Sequence, residues 1–175
     1  MSEQRDDEFT AFVVEHGAHL LRTACLMTGD RGLGEDLVQT ALARAYGSWS
    51  RVGRAEQPVA YVRRILVNSH LSWRRRLMST EQVLETLPEP GGGDHQAAHA
   101  DSDEVRRALL QLSPRVRTAV VLRYFDDLSE ADTAALMGCS RSTVNNHVTR
   151  GLAALRTLLA PAAALAPAPT DWRRP

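Results

Sequence analysis

Lysine is absent from this chain: all 21 basic residues are arginine. Alanine is abundant alongside, which fits biased codon usage, so no mechanism is drawn from it. Aromatic residues make up only 5% of the 175 positions, leaving alanine, leucine and valine to do most of the packing. The two cysteines, Cys25 and Cys139, stand far apart, and neither has a Cys or His neighbour at metal-ligand spacing. That excludes a disulfide framework and predicts reduced, buried thiols. No apolar run reaches the length needed to span a bilayer, and no signal-peptide pattern opens the chain, so a soluble, cytoplasmic protein without a membrane partner is expected. A glycine-rich phosphate loop, a nucleophile elbow and a carboxylate pair in an apolar setting are all missing. The sequence therefore predicts no enzyme, no catalytic residue and no cofactor.

What is present is a pattern of charge. The net charge is zero, but it is laid out in blocks. Residues 1–43 carry three arginines against eight carboxylates, and residues 44–76 carry eight arginines against Glu56 alone. Residues 77–104 hold seven carboxylates and no arginine, and residues 105–160 hold eight arginines against four carboxylates. Two basic blocks separated by an acidic one suggest two nucleic-acid surfaces joined by a linker.

The apolar residues recur at helical spacing throughout, and no stretch alternates like a strand. Phe9, Phe12, Val13, His16, Leu20, Ala24 and Met27 trace one helix, closed by Gly29. Leu33, Leu37, Val38, Ala41, Leu42, Ala45 and Tyr46 trace a second, with Asp30 as its cap. A third begins at Pro58, carries Val59, Val62, Leu66 and Trp73 inward, and ends near Arg76. Pro88, Pro90 and Gly91 to Gly93 then interrupt an acidic stretch with little to bury. Helices resume with Val105, Leu109 and Leu112, followed by one starting at Ser113–Pro114 with Val116, Ala119, Val120 and Phe125 inward. The expectation is an all-α protein of two small helical domains, residues 1–77 and 101–159, joined by a flexible acidic linker over 78–100. A disordered Ala/Pro-rich tail follows over 160–175.

The second domain ends in the most specific local signal, LSEADTAALMGCSRSTVNNHVTRGLAAL. Ser129 is an N-cap with Asp132 three residues on, Ala131, Ala134, Ala135 and Leu136 form a small apolar face, and Gly138 suits a left-handed helix end. Ser140 or Ser142 can cap the next helix, where Val144, Val148, Leu152 and Leu155 make the buried stripe. This is a helix-turn-helix pattern. Arg141, Ser142, Thr143, Asn145, Asn146 and Arg150 fall outside the stripe, and Asn and Arg are shaped for bidentate contacts with base edges. His147, one step from the stripe, suits packing.

Three stretches together, LLRTACLMTGDRGLGEDLVQTALARAY, PVAYVRRILVNSHLSWRRR and LSPRVRTAVVLRYFDDLSEADTAALMGCSRSTVNNHVTRGLAALR, resemble the extracytoplasmic-function (ECF) group of sigma-70-type factors, in its SigE-like actinobacterial branch. The resemblance covers residues 8–158. It implies a factor that binds core RNA polymerase, through the beta-prime clamp helices and beta flap, and directs promoter-specific initiation. It carries Glu35, Asp36 and Gln39 to polymerase binding, although an acidic pair at a helix start also suits the helix dipole. It carries Arg63, Arg64, Asn68, Arg74 and Arg75 to the minus-ten element, with residues 53–57 and Asn68 around a flipped base. The helix-turn-helix residues are carried to the minus-thirty-five element. Asn145 and His147 stand where the family often has Lys and Arg, which removes phosphate contacts. An anti-sigma factor is a further possible partner. Trp49, Tyr61 and Trp73 can stack on bases or pack in a core. A DNA-binding repressor with its own helical effector domain remains the rival reading. His95 and His99, four apart, sit in the broken linker, and no metal site is expected there.

Overall fold

A computed structural model describes residues 2–80 and 100–160. The described residues form helices and connecting turns, with no strand among them. They are α1 (Ser2–Thr28), α2 (Arg31–Gly47), the short α3 (Trp49–Val52), α4 (Pro58–Thr80), α5 (Ala100–Leu110), α6 (Pro114–Tyr124), α7 (Glu130–Met137) and α8 (Arg141–Leu158). The expected linker lies mostly outside the described residues, as do His95, His99 and the tail beyond residue 160. Helix α4 continues to Thr80, past the expected end near Arg76, and a single turn of helix, α3, stands between α2 and α4.

In the first module α1, α2 and α4 pack side by side. Asp30 caps α2 by accepting from the Leu33 amide at 2.8 Å, which turns the chain sharply after α1. Phe12, Leu20, Ala24 and Met27 on α1 meet Val38, Ala41 and Ala45 on α2 and Val62, Leu66 and Val67 on α4, all buried. Trp49 is 3% exposed, with its ring 5.0 Å from Phe9 and 4.9 Å from Phe12. It is a core residue that closes one end of the bundle. Leu33, expected inward, is exposed.

In the second module α6 is the axis. Every residue from Val116 to Leu122 is buried, including Arg117 and Thr118, because α6 touches α8 and α7 on one side and α1 and α4 on the other. A helix covered all round loses the one-sided pattern by which amphipathic helices are recognised. Phe125, expected inward, is instead exposed just beyond the end of α6. Ala135 likewise faces out, while Thr133, Leu136 and Met137 are buried.

The two modules are in contact. Ala119, Val121, Leu122, Leu136 and Met137 belong to the same apolar cluster as the first module's core. Burying a Val, Leu or Met side chain of this kind contributes about 1.5–3 kcal/mol. Across the same junction an Arg106 guanidinium N–H donates to the Gly29 carbonyl at 3.4 Å.

Candidate nucleic-acid and polymerase interface

Three residues set the two ends of α7 and the start of α8. The Ser129 hydroxyl accepts from the Asp132 amide at 3.1 Å and donates to the Asp132 carboxylate at 2.5 Å, so the pair singled out in the sequence caps α7. Gly138 takes the left-handed conformation, φ 62° and ψ 44°, which costs an L-residue about 1–2 kcal/mol. Ser140, rather than Ser142, caps α8 by accepting from the Thr143 amide at 3.1 Å.

Helix α8 then presents two unlike sides. Val144 is fully buried, and Gly151 lies so near α6 that a Cβ there would stand 2.5 Å from Val120 Cγ2 and 3.0 Å from Val116 Cγ1. On the outer side Arg141, Ser142, Asn145, Asn146 and Arg150 are exposed, and Thr143 is half-buried. The Thr149 hydroxyl donates to Asn145 Oδ1 at 3.2 Å, one turn along the same side. His147 sits between these sides, its two ring nitrogens buried without a hydrogen-bond partner. Burial, with Arg115 and Arg150 adding like charge, holds its pKa below the usual histidine value. The ring is therefore neutral at neutral pH and adds no charge to the outer face.

In the first module Glu35 pairs with Arg31 at 2.8 Å, while Asp36 and Gln39 are exposed further along α2. Arg44 on α2 donates to the Ser69 hydroxyl on α4 at 3.1 Å. Between these helices lies an open cavity of about 610 Å³, lined by Asp36, Thr40, Arg44, Tyr61, Asn68 and Trp73 among others. Asp36 and Asn68, which the sequence suggests for different partners, thus border one groove. Tyr61 and Trp73 are half-buried on its wall. Arg64 and Asn68 are exposed, whereas Arg74 and Arg75 lie on α4 at positions whose side chains fall outside the described set.

Arg63 is turned away from this groove. Its side chain is 12% exposed, and its Nε stands 2.9 Å from Asp126 Oδ2 in the second module. The contact is an ion pair whose alignment is too bent for a hydrogen bond. The Asp126 carboxylate is wholly buried. Its other oxygen accepts from the Thr23 hydroxyl at 2.6 Å and lies 3.0 Å from His19 Nε2. Nothing in the sequence singles out Asp126, because its partners lie 63 to 107 positions away. The one local hint is an acidic pair placed straight after an apolar helix. Beside it runs a cleft of about 740 Å³ between the modules, bordered by Arg22, Cys25, Arg31, Arg106 and Phe125. Burial there raises the Cys25 thiol above its usual pKa despite the nearby Arg31, so the thiol is not activated for chemistry.

A capped helix-turn-helix with a polar outer face, beside a bundle that shows arginine and asparagine on its third long helix, defines a nucleic-acid-binding protein of two helical modules. Comparison with known proteins narrows the class. The description of sigma-70 region 2 matches residues 12–80, and that of sigma-70 region 4 matches residues 102–155. The chain is 38% identical to the RNA polymerase sigma-E factor of Streptomyces coelicolor over 85% of its own length and 84% of the relative's. It is 31% identical to the ECF RNA polymerase sigma factor SigL of Mycobacterium tuberculosis, over 83% and 85%. Among solved structures, the sigma factor RpoE of Bartonella quintana, in complex with the anti-sigma factor NepR, superposes with a TM-score of 0.73 at 25% identity, covering 86% of this chain and 96% of that one. The chain belongs to the extracytoplasmic-function sigma factors of the sigma-70 family. Its function is promoter-specific initiation of transcription with RNA polymerase, a regulatory role. Among the described residues no helix is long and apolar enough to cross a membrane.

Proposed function

We propose that this sigma factor divides its work between three faces. The α2 face with Glu35, Asp36 and Gln39 docks on the beta-prime clamp helices of core polymerase, and the second module meets the beta flap. The α4 face with Arg64 and Asn68, extended by Arg74 and Arg75, reads the minus-ten element, and Arg63 joins it when freed. The outer face of α8, with Arg141, Ser142, Thr143, Asn145, Asn146 and Arg150, reads the minus-thirty-five element. Residues 1–77 and 101–159 are the two working domains, 78–100 the tether and 160–175 a tail outside both. The factor acts by binding, without catalysis of its own, in the cytoplasm where the polymerase works. An anti-sigma factor, as in the complex of the Bartonella relative, is a fitting regulator.

The observation that carries this reading is the two-sidedness of α8. One stripe is packed against α6, and the opposite stripe exposes amide and guanidinium groups of the kinds that pair with base edges. The test is transcription from promoters mapped after overexpression, using purified chain and core polymerase. Asn145→Ala with Asn146→Ala should weaken promoter recognition by about 1–3 kcal/mol per lost bidentate contact. Asp36→Arg should reduce polymerase capture without altering the helical content. Transcription indifferent to both changes refutes the assignment.

A further inference from the structure

We infer that Arg115 on α6 and Arg150 on α8 grip one backbone phosphate of the minus-thirty-five duplex across His147, whose ring takes up a proton as the phosphate seats. The clamp rests on the reading of α8 given above and adds to it a residue, Arg115, from a different helix.

The three side chains meet because α6 and α8 approach closely. Gly151 has no Cβ, and one placed there would stand 3.0 Å from Val116 Cγ1. Arg115 and Arg150 are the chain neighbours of those two residues, so the contact that seats α8 also brings both arginines to one edge of the helix pair. His147 precedes Gly151 by one helical turn and lies along the same seam. Arg115 and Arg150 are exposed, and neither has an ion-pair or hydrogen-bond partner among the described residues.

This arrangement works against itself in the free chain. Arg115 stands in the first turn of α6, where the helix dipole disfavours a cation. Arg150 brings a second positive charge to the same edge, and both act on the His147 ring as like charges. The ring nitrogens are buried and lack any hydrogen-bond partner. The other helices packed on α8 give no relief. Glu104, Arg106 and Arg107 on α5, and Glu130 and Asp132 on α7, are not among the charges that act on the ring.

Two guanidinium groups without partners, flanking an imidazole held neutral and offered no carboxylate, suit an anion. A DNA phosphate answers all three groups. Its oxygens accept from both guanidinium groups, and its charge offsets the repulsion that they exert on the ring. An anion within about 4–6 Å favours the charged form of a histidine, so the ring draws a proton from bulk water when the phosphate arrives. Such a clamp reads no base. It fixes the register of α8 on the duplex, while Asn145 and Asn146 on the outer face meet the base edges.

The experiment is fluorescence anisotropy of the full chain, assembled with core polymerase, on a promoter fragment between pH 7.5 and pH 6. The bound ring holds more protons than the free ring, so affinity should rise as pH falls. The rise begins near the pKa of the bound ring and levels off at the lower one of the free ring. A single proton limits it to about 10-fold per pH unit. His147→Gln should remove this part of the pH dependence and leave whatever the polymerase contributes. Arg115→Gln and, separately, Arg150→Gln should each lower the slope of log affinity against log salt by about 0.9. Arg156→Gln, which removes an exposed charge in the last turn of α8, should keep the parental slope. Arg115 is exposed, so its variant tests the clamp even if His147→Gln fails to fold. A parental pH profile in folded His147→Gln overturns the proton uptake, and a parental salt slope in Arg115→Gln overturns the clamp. A fragment with a scrambled minus-thirty-five element separates the two readings. Parent binding indifferent to scrambling counts against the proposed role of α8. Binding that scrambling weakens, with parental profiles in the variants, overturns the clamp alone.

Discussion

His147 illustrates how much a single position depends on its surroundings. Its place one step off the buried stripe of α8 suggests packing, and the structure puts both ring nitrogens out of reach of water and of any hydrogen-bond partner. Burial, then Arg115 and Arg150, disfavour the imidazolium. The folded state thus binds a proton less readily than the unfolded state, and stability rises with pH wherever the unfolded chain holds more protons. As pH falls below about 6.5, the ordinary histidine value, the folded protein should lose stability, and the loss should continue until the depressed folded pKa is passed. Urea melts between pH 7 and pH 5 measure this, and His147→Gln should remove its share of the slope. An unchanged slope would show that the ring is not held neutral by the fold. Trp49 makes the complementary point. Its indole could stack on a base or fill a core, and Phe9 and Phe12 decide for the core. Both phenylalanines were visible as inward residues, but that they converge on Trp49 follows from how α1 crosses α3.

At the scale of elements, local chemistry was nearly sufficient. Ser129, Gly138 and Ser140 act where their side chains and backbone preferences place them, because capping and left-handed turns involve only residues within one helical turn. Ser140→Ala should therefore cost about 1 kcal/mol of stability, read as a lower thermal midpoint. It should also loosen Ser142 and Thr143, whose hydroxyls lie 2.8 Å from the Ser140 hydroxyl. Retention of the parental midpoint would mean that the α8 start is held by packing alone. The sequence misplaced Leu33, Ala135 and Phe125 for one reason. Periodicity gives the angle between apolar residues on a helix, and it is silent about which neighbours cover them. Leu33 and Phe125 border grooves, while α6 is covered on every side and so shows no clean stripe.

For the whole molecule the shared apolar cluster has a thermodynamic consequence. Leu122, fully buried, lies in the cluster that joins the modules, so Leu122→Ala should cost about 2–5 kcal/mol. That loss should be felt by both modules in one cooperative transition. Calorimetric and van't Hoff enthalpies should agree for the parent chain. Two separate transitions in the parent would mean that the modules do not share a core in solution. The sequence by itself determined the helices, their caps, the polar face of α8 and the family, because each depends on short-range periodicity, on turn chemistry or on residue order along the chain. Tertiary structure alone decided that Arg63 turns to Asp126, that Asp36 and Asn68 border one groove, and that the modules close on each other. Those outcomes depend on burying charge and apolar surface between residues dozens of positions apart, and no local pattern encodes such distances.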